Sequence, residues 1–78
     1  MATVDRIDVI LSTLNATDVG SLESIADKLR QVEGELEALA QEELAVRARE
    51  TIAALERGDL VEFRRGRAFL QSKVGHLR

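Results

Sequence analysis

Apolar residues recur along the chain at helical rather than strand spacing. Val4, Ile7, Ile10, Leu11 and Leu14 follow at steps of 3, 3, 1 and 3, which predicts a short amphipathic helix over 4–14. Thr3 is placed to cap it, and Asp5 lies in the first turn, where a negative charge meets the positive end of the helix dipole. Asn15, Thr17, Asp18 and Gly20 are turn residues, so 15–20 reads as a connection, with Ser21 able to cap the next helix.

From Leu22 the period is regular. Leu22, Ile25, Leu29, Val32, Leu36 and Leu39 step by 3, 4, 3, 4 and 3, the a/d pattern of a heptad. With Leu22 at position a, Gly34 falls at f, the outermost position, so the helix is expected to continue through it. The competing reading makes Gly34 a cap that closes a helix at Val32. After Leu39 the apolar positions shift to Ala40, Leu44, Ala48, Ile52 and Leu55, at steps of 4, 4, 4 and 3. A four-residue step is a stutter, which relaxes supercoiling without ending a helix. The pattern therefore predicts one helix over 22–56, about 52 Å long.

Arg57-Gly58-Asp59 is a stop and a start. Gly58 suits the left-handed position after a helix, and Asp59 with Glu62 three residues on has the spacing of a capping box. A last helix over 60–74 comes next, with Leu60, Phe63, Leu70, Val74 and Leu77 on one face. Arg67 breaks that face, Phe69 widens it, Gly66 allows a close crossing and Gly75 ends the helix. The expected fold is all-α: a short N-terminal helix, then an antiparallel hairpin of a long and a medium helix.

Composition strengthens this reading. Leu, Ile, Val and Phe make up 24 of 78 residues, Ala another ten, and there is no Pro, Cys, Trp or Tyr. That is one small domain over 1–78, without disulfides, built on aliphatic packing. Chains of this size rarely gain more than about 3–5 kcal/mol from one core, so regular helix packing or oligomerisation is needed. No stretch approaches the roughly 20 apolar residues of a membrane span, and the start lacks a basic signal region. A cytoplasmic protein without a membrane partner is expected.

Charge is divided along the chain. Residues 1–58 hold 6 Lys/Arg and 12 Asp/Glu, whereas 59–78 hold 5 and 2, giving −3 overall. Folded as a hairpin, a basic last helix would lie along an acidic long one. Arg64, Arg65, Arg67, Lys73 and Arg78 form a candidate basic patch. Glu43 and Arg47 stand at i, i+4 in the favourable order. Lys28 at g and the following Glu33 at e would meet between chains in a parallel coil.

Candidate chemistry is sparse. His76 lies two residues from the end of the sequence. Glu33, Glu35, Glu37, Glu42 and Glu43 point in several directions on a helix, and none has a His at i+3. No phosphate-binding Gly motif occurs. Residues 21–29, SLESIADKL, resemble the first helix of a helix-turn-helix motif. That motif needs a groove-reading second helix, whereas 32–43 carry five Glu and no Lys or Arg, which phosphates repel. The expectation is a non-enzymatic protein–protein interaction module without cofactor or metal. It would self-associate as a homodimer through the seam Leu22, Ile25, Leu29, Val32, Leu36 and Leu39. The alternative is a nucleic-acid-associated regulator using the basic last helix.

Overall fold

Helix α1 (Thr3–Asn15) is followed by a single 3-10 turn (Ala16–Asp18), then α2 (Leu22–Ala38), α3 (Glu42–Glu56) and α4 (Leu60–Gly75). This computed structural model describes the backbone of residues 3–77 and the side chains of 6–17 and 19–77. The capping role of Thr3, the charge of Asp5 and the place of Val4 on the stripe lie outside the described side chains.

The all-α class is as the pattern predicts, but there are four helices, not three. Gly34 sits inside α2 without interrupting it. The long helix breaks instead at Leu39–Gln41, where Ala40 adopts φ 59°. Gln41 N donates to Leu36 O at 2.8 Å and Ala40 N to Glu37 O at 3.0 Å, the paired bonds of a Schellman cap. Without Gly or Pro to mark it, this turn looks helical in sequence. Packing imposes it. A left-handed Ala costs about 1–2 kcal/mol. Turning the chain back buries Leu44, Ile52 and Leu55 in the shared core, each worth about 1.5–3 kcal/mol. Burial wins.

The other boundaries follow local chemistry. Ser21 Oγ accepts from Ser24 N at 3.1 Å and starts α2. At Gly58, φ 81°, the same Schellman pair recurs: Asp59 N to Ala54 O at 2.8 Å and Gly58 N to Leu55 O at 3.1 Å. Asp59 caps α4 by accepting from Glu62 N at 3.2 Å. The expected capping box is only half formed. The Asp59 N–H is already committed to Ala54, and the Glu62 carboxylate holds Arg65 at 3.1 Å instead.

Each helix packs against its neighbours in sequence, and α1 closes the ring against α4. One core runs through the ring: Ile7, Ile10 and Leu14 meet Ile25, Leu29, Val32 and Leu36, with Leu44, Ala48, Ile52 and Leu55, and with Phe63, Leu70 and Val74. The longest dimension is 36 Å, shorter than the single helix the pattern predicts. The accessible surface is 4676 Å², against about 4,700 Å² for a compact monomer of this mass. The apolar stripe thus finds its cover within one chain. Leu22 is the exception. Expected in the seam, it is 62% exposed at the first position of α2, one turn outside the core. Leu60, expected on the buried face of α4, is also exposed at that helix's first position. Leu39 and Leu77 are half-buried against the core. No described helix is long and apolar enough to cross a membrane.

Candidate interaction groove

Where α3 crosses α4, Gly66 lies under Thr51. A Cβ at Gly66 would collide with Thr51 Oγ1 and stand 3.0 Å from Thr51 Cβ. Thr51 is buried and donates its hydroxyl proton to Arg47 O at 2.8 Å, so it needs no partner on α4. The close approach expected of Gly66 is therefore real, and it pins the two helices at this point. Beyond it they leave a groove of about 590 Å³, towards the start of α3 and the end of α4.

Leu44, Phe69 and Leu77 supply the apolar lining of this groove. From α3 come Glu43, Arg47 and Glu50, and from α4 and its cap come Lys73 and His76. Phe69 remains 41% exposed. The Arg47 guanidinium carbon stands 5.5 Å from the centre of its ring, and Lys73 Nζ 5.7 Å. Both cations gain from the negative ring face. Lys73 also sits in the last turn of α4, where the helix dipole favours a cation. Arg47 Nε is buried without a hydrogen-bond partner. Its only ion pair among the described residues is a loose one, NH1 to Glu50 at 3.6 Å. The expected Glu43–Arg47 pair does not form, because Arg47 turns towards Phe69.

Other expected contacts are also redistributed. Ile25, Leu29, Val32 and Leu36, the middle of the expected seam between chains, are buried in the chain's own core. Lys28 donates to Ala16 O at 3.2 Å and Glu33 holds Arg49 at 2.7 Å, so both serve contacts within the chain. The Glu33 bond, its charge and that of Glu37 raise the pKa of Arg49 above its ordinary value. The residues of the candidate basic patch have different neighbours. Lys73 faces the groove, Arg67 covers the Phe63 ring at 5.5 Å, Arg65 pairs with Glu62, and Arg64 is exposed. Arg78 lies outside the described residues. The basic last helix does lie along α3, the acidic second half of the expected long helix, but among the described residues no ion pair joins the two. Among the described residues, ion pairs between helices join α1 to α2 through Arg6–Glu35, and α2 to α3 through Arg30–Glu56, Arg49–Glu33 and Arg49–Glu37. No group of three or more His, Cys, Asp or Glu able to hold a metal gathers among the described residues.

Sequence spacing alone treats Phe69 as core and Arg47 as a partner of Glu43. The missed signal is the hairpin register: positions 47 and 69 are equidistant from Gly58. Compared with protein-family models, curated proteins and solved structures, the chain matches none of them.

Proposed function

We propose that this chain is a small, non-enzymatic helical interaction module that self-associates as a homodimer through the α3/α4 groove. Phe69 carries this reading: a large ring left 41% exposed in a groove that holds both signs of charge. Exposed aromatic rings beside Arg are the kind of residue that dominates binding energy when an interface covers them. The groove has carboxylates on its α3 wall and cations on both walls. Under a two-fold axis, the α4 cations of one copy meet the α3 carboxylates of the other, so the surface complements itself. The heptad seam is not the surface offered, since most of it serves the chain's own core.

Sedimentation equilibrium across micromolar concentrations tests this. A dimer is expected, and Phe69→Ala should weaken it by about tenfold or more. A mass of one chain at every concentration would refute self-association.

A further inference from the structure

We infer that the turn at Leu39–Gln41 is a hinge through which two copies of this chain exchange their first two helices. The inference shares with the proposed function only the premise of a homodimer, and it does not use the groove.

The motivation is a comparison within the molecule. The chain reverses after α2 and after α3 with the same pair of backbone bonds, 2.8 Å for the longer loop in each case and 3.0 or 3.1 Å for the shorter. The residue forced into the left-handed region is Gly58 at one turn, but Ala40 at the other. Glycine enters that region freely, whereas a Cβ there meets the following carbonyl. Alanine is also the best helix former, and Leu39 and Gln41 beside it are good ones. Local preference at 39–41 thus favours a continuous helix. The packing of α3 on α2, and of α4 on α1, holds the turn closed.

That packing does not depend on which chain supplies α1 and α2. If Ala40 enters the right-handed helix, α2 and α3 become one rod of about 35 residues and 52 Å. Helix α3 then loses its own α2 and accepts the α2 of a second copy. The reciprocal exchange closes a two-fold dimer in which the α2–α3 and α1–α4 packing and the Arg49–Glu33 pair are remade across chains. The connection is three residues long, and short strained hinges invite such exchange. Gly58 carries no comparable strain, so α4 stays with its own α3.

Two measurements test the exchange. The chain has no Cys, so Glu33→Cys and Arg49→Cys can be placed in separate chains, unfolded together and refolded at high concentration. A short bis-maleimide is then added. Positions 33 and 49 face each other across α2 and α3, so the exchanged dimer should link one chain to the other well above the level of chains mixed after folding. In the unlabelled chain, Ala40→Gly should lower the dimer association constant by at least about tenfold, because each dimer relieves two left-handed alanines. Ala40 is exposed, so this substitution leaves the core intact. A dimer that does not link 33 to 49, or that ignores Ala40→Gly, overturns the exchange and leaves the groove dimer standing. A mass of one chain under all conditions overturns both.

Discussion

Gly66 and Gly34 are the same residue in opposite situations. At Gly66 an added methyl would drive into Thr51 on the facing helix. Gly66→Ala should therefore destabilise the fold by about 1–3 kcal/mol, the cost of overpacking a close crossing. At Gly34 a built Cβ meets nothing within 4 Å. Gly34→Ala should stabilise by about 0.5–1 kcal/mol, the helix preference alone. Urea titration of the two variants reads opposite shifts in midpoint. Equal shifts would mean that the α3/α4 crossing is looser than described. The heptad register already placed Gly34 on the outer face, and the structure agrees. For Gly66 the sequence allowed closeness without naming Thr51, because the facing residue depends on where the preceding hairpin turns.

At the scale of helices, legibility followed the presence of a chemical marker. Ser21, Gly58 and Asp59 have side chains, or lack one, in ways that act locally, so their boundaries could be read. The stop at Ala40 has no local marker. It exists because Leu44, Ile52 and Leu55 need a surface, a long-range cause invisible to a window of neighbouring residues. The heptad was legible as a buried stripe but not as to what buries it: its geometry is the same whether the cover is another chain or α3 of its own. Its first member also slipped, since a residue at the start of a helix hangs outside the core. Leu22→Ala should thus change stability by less than about 0.5 kcal/mol, as surface substitutions usually do. Leu29→Ala, fully buried, should cost about 2–5 kcal/mol. Chemical denaturation of both variants compares them directly. Similar losses would place Leu22 in a buried environment, such as an interface between chains.

The whole molecule is a ring of helices joined by short connections, with no Pro to isomerise and no Cys to pair. Helical proteins with mostly local contacts fold in microseconds to milliseconds. At low concentration, stopped-flow refolding should therefore finish without a phase of tens of seconds, the signature of proline isomerisation. A slow phase that grows with protein concentration would report association instead. Among the described residues, positive φ angles occur at Gly20, Ala40 and Gly58, one in each connection between α-helices. The path of the chain is thus written in three reversals of handedness at nearly even intervals. Their phase matters more than the letters between them. One extra residue within a helix would rotate everything beyond it by about 100° before the next reversal, turning an inward face sideways. A chain built this way forgives changes of spelling on its surface and is intolerant of changes in count.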